Sequence, residues 1–239
     1  MKCWICQLDA TTKEHKIKKS TLKKMYKNDF QNGDMTHYKN GKYSKIQGID
    51  SNKIKYQNSL CAKCNNEFTH PFDNAYDIFF TYIIDNYKDI CHFRNINFFN
   101  IFGEHFPIMQ TNLFKYFIKI FGCDLVEYGF IVPDDLIILL NQEHFETKMK
   151  ITFSINESFL TTQSPTKVLY GHGPLITTQE NLRSKNEINT KYRFEINLSY
   201  LRVNFFYSCF TDFGIGSDWI ADKQYLYIGS SKEMNTTYI

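Results

Sequence analysis

The chain has no run of about 18 or more uncharged apolar residues, so no transmembrane helix is expected and no membrane partner. Its most apolar stretches, "NINFFNIF" and "YFIKIF", are short and interrupted. No apolar h-region follows Met1, and Cys3 and Cys6 stand too close to it for a cleaved signal peptide. With an odd cysteine count of seven, this leads us to expect a reducing, intracellular (cytoplasmic) compartment. Arginine is scarce beside lysine, asparagine, isoleucine, tyrosine and phenylalanine, a bias that an AT-rich genome explains as well as any physical demand. Internal repeats and low-complexity linkers are missing too. "FGIGSD" and "YGHGP" lack the strand–loop–helix context that a phosphate-binding loop needs.

At 239 residues and 43% hydrophobic content, the chain can bury a sizeable core. Its charge is uneven. Residues 1–66 hold 14 lysines and 5 acidic residues, a net +9, while the remainder carries −6. Such a split points to a first part that faces a polyanion, against the plainer reading of a solvated lysine-rich surface.

Between Cys6 and Cys61 the chain is polar, with Gly33, Gly41 and Gly48 as turn points and few apolar runs. Such a segment needs a staple, and small domains often use a metal. From Pro71 the pattern becomes helical, with Phe72, Ala75, Phe79, Tyr82 and Ile83 on one face. A second helix is expected in "TNLFKYFIKIFG", capped by Thr111 or Asn112 and stopped at Gly122, and a third in "VPDDLIILLNQ". After residue 148 the period shifts towards two in "KYRFEINLSY", "LRVNFFYSCF" and "QYLYIG", which predicts strands. "YGHGPLITTQENLRSKNE" reads as a loop region. The expected class is α+β: a domain at 1–75, then a domain at 76–239 with helices to about 147 and strands from about 148, the two meeting at a packed junction.

Cys3-x-x-Cys6 and Cys61-x-x-Cys64 give two pairs of thiolates, each at the spacing of a tight knuckle, and four thiolates satisfy tetrahedral Zn²⁺. Disulfides are disfavoured by compartment. A redox motif would account for one such pair but not for two that bracket a basic insert. Cys91, Cys123 and Cys209 are isolated in apolar surroundings and read as buried packing residues. His92, His105, His144 and His172 lack ligand-spaced partners.

Glu14-His15 lies eight residues after the first knuckle, and Asn65-Asn66 follows the second directly. "CWIC…KEHKIKKS…SLCAKCNNEF…D" resembles the zinc-stapled HNH endonuclease domain of ββα-metal type over about residues 1–75. The resemblance implies a DNA-cleaving phosphodiester hydrolase with His15 as general base. It gives Glu14 and Asn65 as ligands of a catalytic Mg²⁺ or Mn²⁺, and Asn66 and His70 as further candidates. Asp73 matches an acidic position after the second knuckle, and Asn58 a middle asparagine that orients the catalytic loop. A bacterial or phage setting, with a role in phage defence or mobile elements, is also what the resemblance suggests.

The chemistry agrees with that assignment. Phosphodiester hydrolysis needs a base for water and a cation for the charge growing on phosphate, and carboxylate and amide oxygens suit a hard cation. Pro71 weighs against His70 as a ligand. The sequence departs from "EHIIP" at Lys16 and Lys18; Lys18, Lys19, Lys23 and Lys24, with Lys16, are candidates to line a phosphate backbone, each as a sequence-blind contact. The alternatives are a non-catalytic zinc module that binds nucleic acid, and an interaction protein that leaves the basic segment unexplained. A nuclease with one site per chain would need a homodimer to cut both strands.

Overall fold

The structure, a computed structural model, describes residues 1–26, 30, 35–39, 42–143, 146–157, 160, 170–172, 175–181, 188–211 and 213–231. Gly33, Gly41 and His144 lie outside these residues. The architecture is mixed α+β, with no described helix long and apolar enough to cross a membrane.

Near the amino terminus, β1 (Thr12–His15) pairs antiparallel with β4 (Lys55–Leu60), Thr12 facing Leu60 and His15 facing Lys55. Between these strands come α1 (Lys19–Met25) and a hairpin of β2 (Thr36–Lys39) and β3 (Lys42–Lys45). This polar insert has a small core of its own in Ile17, Leu22, Ile46 and Ile54. After β4 the chain turns through a π-helical turn, Cys64–Phe68, into α2 (His70–Asp85). Pro71 sits in the first turn of α2, where a missing N–H costs nothing.

A short α3 (Tyr87–Phe93), β5 (Asn95–Asn97) and α4 (Phe98–Phe102) lead to α5 (Phe106–Glu127), the organising rod of the molecule. This helix buries residues on nearly every side, as a central core helix must. One side carries Phe117 and Phe121 into the sheet, against Phe153 and Phe205. The other side meets α2, where the rings of Tyr76 and Tyr116 stack at 4.1 Å between centroids. The main buried cluster runs continuously from Cys3 to Ile228.

α5 differs from expectation at both ends. It begins at Phe106, not Thr111, because Pro107 opens its first turn and Thr111 Oγ1 donates back to the Pro107 carbonyl. It also runs through Gly122. A Cβ there would lie 2.5 Å from Cζ2 of Trp4, so the glycine is a slot for the indole and not a stop.

After α6 (Asp134–Asn141), strands dominate: β6 (Met149–Asn156), β7 (Tyr170–His172), β8 (Ile176–Asn181), β9 (Ile188–Leu198), β10 (Leu201–Tyr207), β11 (Tyr225–Tyr227) and β12 (Gly229–Ser231). Six form one sheet in the order β12-β6-β10-β9-β7, with β8 also on β9, while β11 pairs with β5. The expected alternation in β9 holds, with Tyr192, Phe194, Ile196 and Leu198 buried. The stretch read as loop instead supplies β7 and β8, both of which pair, among the described residues, with β9 alone.

Candidate functional site

The first knuckle is a tight turn in which the Gln7 N–H donates to the Cys3 carbonyl and Cys3 N–H to Leu8, with Gln7 at φ 64°. In the second, the Cys64 backbone N–H donates to Cys61 Sγ at 3.4 Å. That bond, more than any other influence, draws the Cys61 thiol down to about 7, towards the thiolate a metal needs. Burial pushes Cys64 and Cys6 the opposite way. The four sulfurs lie within 4.8 Å of one another, although Cys3 and Cys61 are 58 positions apart in sequence. Cys6 Sγ and Cys61 Sγ are 3.5 Å apart, far too long for a disulfide. It is close to the roughly 3.8 Å edge of a tetrahedron with Zn–S bonds of about 2.3 Å. Four cysteines so placed could hold one structural metal such as zinc.

The knuckle is docked on α5. Trp4 fills the slot at Gly122, and its backbone N–H donates to Ser59 of β4. Ser59 Oγ donates to Cys123 Sγ, and burial pushes that thiol up to about 12. One turn on, Glu127 accepts from the Gln57 N–H at 2.8 Å and pairs with Lys16 at 3.1 Å. Residues 119, 123 and 127 lie one turn apart on α5, so one helix face grips the β1–β4 pair along its length. Of the other two isolated cysteines, Cys91 and Cys209 are only half-buried.

Glu14 and His15 point to different surroundings. Glu14 is buried and meets Lys119 of α5, whose Nζ lies 3.5 Å from its Oε1 and 2.7 Å from Asp73 Oδ1 on α2. Burial raises the Glu14 pKa, with the Lys119 ammonium pulling the other way. For Lys119, burial alone would lower the pKa, but Glu14 and Asp73 together outweigh it and hold the ammonium charged.

His15 is turned towards the loop before β4. Its Nε2 is 3.9 Å from Asp50 Oδ1, beyond hydrogen-bond reach, and has no partner among the described residues although the atom is buried. Burial first, and then the Lys55 charge, lower the His15 pKa, so the ring stays neutral near physiological pH. Asp50 also holds Lys19 at 2.8 Å. Asn65 lies in the π-helical turn, its Oδ1 likewise buried without a partner. Asn66 and His70 are exposed, and Asn58 is exposed opposite Lys13.

The nominated lysines are mostly engaged. Lys18 donates to Asp77 at 2.7 Å and to the Asp73 carbonyl, and Lys24 pairs with Asp85 at 3.2 Å. Lys23 lines a shallow recess of about 330 Å³ with Leu22, Phe30, Gly48 and Ile49.

Sequence reasoning missed Lys119 and Asp50. Lys119 had left a trace in "YFIKIF": a lysine with apolar neighbours on every side of a helix has nowhere to send its charge except to a buried carboxylate. Compared with protein-family models, curated proteins and solved structures, the chain matches none.

Proposed function

We propose that this chain is a metal-dependent phosphodiester hydrolase of the HNH, ββα-metal kind, acting on DNA, with His15 as general base. The observation that supports it most is a coincidence of orphans. Among the described residues, His15 Nε2 and Asn65 Oδ1 are both buried without a hydrogen-bond partner, on the two residues that the motif nominates for base and cation ligand. A buried polar atom left unpaired costs about 1–3 kcal/mol, so each calls for a use.

The arrangement of elements agrees with the reading. A β1–β4 pair followed directly by a helix, closed by the thiol cluster, is a ββα unit with Glu14-His15 at the end of its first strand. The donors also suit a hard cation. Asn65 offers an amide oxygen without a hydrogen-bond partner among the described residues, and Lys119 approaches Glu14 through Oε1. Glu14 and Asn65 would hold Mg²⁺ or Mn²⁺, which stabilises negative charge on the phosphate when bound.

His15, neutral because its pKa is depressed, takes the proton from the attacking water. Asp50, facing the ring across 3.9 Å, steadies the imidazolium that results. The four-cysteine site takes no part in the chemistry and holds the base and the helix in register.

The test is nicking of supercoiled plasmid with Mg²⁺ or Mn²⁺ by the wild type and by His15→Ala. Loss of nicking in His15→Ala, with zinc content retained, is expected. DNA binding in a gel shift with no His15-dependent nicking would instead identify a non-catalytic zinc module. Sedimentation with DNA bound tests the homodimer that double-strand cleavage requires.

A further inference from the structure

Helix α5 lies in the part of the chain for which the sequence names no chemistry, yet it carries a buried cation to Glu14. We infer that Lys119 is a positioning residue: its ammonium, anchored by Asp73, fixes the Glu14 carboxylate through Oε1 and leaves the other oxygen to a divalent cation. The inference deepens the hydrolase reading and rests on it.

Three observations carry it. Lys119 has no exposed surface, so its charge serves no solvated face and is sustained chiefly by the Glu14 and Asp73 carboxylates, with the Tyr116 ring centroid 5.3 Å from Nζ. The two contacts are unequal, 2.7 Å to Asp73 against 3.5 Å to Glu14, which makes Asp73 the anchor and Glu14 the steered group. Finally, α5 is held in register over the β1–β4 pair by Trp4 at Gly122, by Ser59 on Cys123 and by Gln57 on Glu127. Nζ is thus delivered to a defined point. Carboxylates that bind metals are generally hydrogen-bonded from behind, and loss of such a partner weakens metal binding about 10- to 100-fold. On this reading residues 1–75 do not contain the whole site, because β1, α2 and α5 each supply one member of the triad.

The experiment titrates the full-length, zinc-loaded protein with Mn²⁺ in the absence of DNA and follows free Mn²⁺ by electron paramagnetic resonance. The wild type should bind one Mn²⁺, and Glu14→Gln should lose it. Lys119→Met should weaken binding about ten-fold or more while zinc stays bound. Mn²⁺ binding in Lys119→Met as tight as in the wild type, or tighter, as relief of charge repulsion would give, overturns the inference. If Lys119→Met fails to hold zinc, Asp73→Asn takes its place, since it keeps an oxygen acceptor for Lys119 but loosens the anchor. Weaker Mn²⁺ binding supports the inference there, and unchanged binding overturns it. A wild type that binds no Mn²⁺ and nicks no plasmid would instead remove the hydrolase reading, and this inference with it. Nicking by the wild type together with unaltered Mn²⁺ binding in both variants removes only the role of Lys119.

Discussion

Replacing Gly122 by alanine sets two effects of opposite sign against each other. In an ordinary helix interior the change stabilises by about 1 kcal/mol, because glycine has the greater backbone freedom to lose. Here the new Cβ would lie 2.5, 2.8 and 2.9 Å from Cζ2, Cη2 and Cε2 of Trp4. Restoring ordinary contact asks the indole to retreat by about 1 Å. It has little room to do so, since Trp4 lies between two cysteines of the four-thiol cluster and is buried on the main core. Overpacking of this kind costs about 1–3 kcal/mol, and a pinned neighbour places it towards the upper end.

The net expectation is a loss of about 1–2 kcal/mol, or a melting temperature lower by about 2–8 °C for a chain of this size. Thermal unfolding with zinc in excess measures it. In a Trp4→Leu background the slot is empty, and the same Gly122→Ala change should be neutral or stabilising, a sign reversal that a double-mutant cycle reads directly. A higher melting temperature for Gly122→Ala in the wild-type background would refute the account of knuckle docking, because helix propensity alone would then describe the site.

Elemental analysis should find one zinc per chain, and Cys61→Ser or a strong chelator should remove it together with the protection of the β1–β4 amides from hydrogen exchange. In a pH–rate profile of plasmid nicking, activity should fall as pH drops through the His15 pKa, since only the neutral ring accepts a proton. Burial and the Lys55 charge put that pKa below the ordinary histidine value, so Lys55→Met should move the acidic limb up and Asp50→Asn should move it down. Lys18→Ala should lower the melting temperature, by under about 1 kcal/mol in stability, and leave the gel-shift affinity for DNA nearly unchanged. Lys19→Ala, whose side chain is 43% exposed against 16% for Lys18, should do the reverse.

Where local pattern and tertiary environment agree, the residues could be read in advance. The spacing of the cysteine pairs, the helix opening at Pro71 and the alternation in β9 each follow from one local rule. The failures share a cause. Thr111 has the chemistry of a cap but spends its hydroxyl on a carbonyl one turn back, and Gly122 has the chemistry of a stop but is reserved for an indole 118 positions away. β8, "ITTQEN", carries one apolar residue at its start and pairs with one neighbour among the described strands, so nothing in its composition separates it from a loop. The cysteine cluster was legible because a metal site imposes spacing. The Lys119 triad was not, because its three members come from elements whose meeting only the packing of α5 decides.

The same packing changes the meaning of the charge asymmetry. A segment of +9 joined to a remainder of −6 suggests a surface built for a polyanion, yet much of that complementarity is satisfied inside the molecule. Lys16 reaches Glu127, Lys18 reaches Asp77 and Lys24 reaches Asp85, each pair joining the basic segment to helix α2 or α5 of the acidic remainder. Lys119 makes the reciprocal contact, a cation from the acidic part held by Glu14 of the basic one. The two charge excesses thus form a seam that sets the β1–β4 pair against both helices. The field left for a phosphate backbone is smaller than the lysine count implies. Only pairs as exposed as Lys19–Asp50 and Lys24–Asp85, worth little in water, yield readily to phosphate. On the proposed function, affinity for DNA would then depend on the lysines at the rim, while those beneath keep Glu14, His15 and the thiol cluster in one frame.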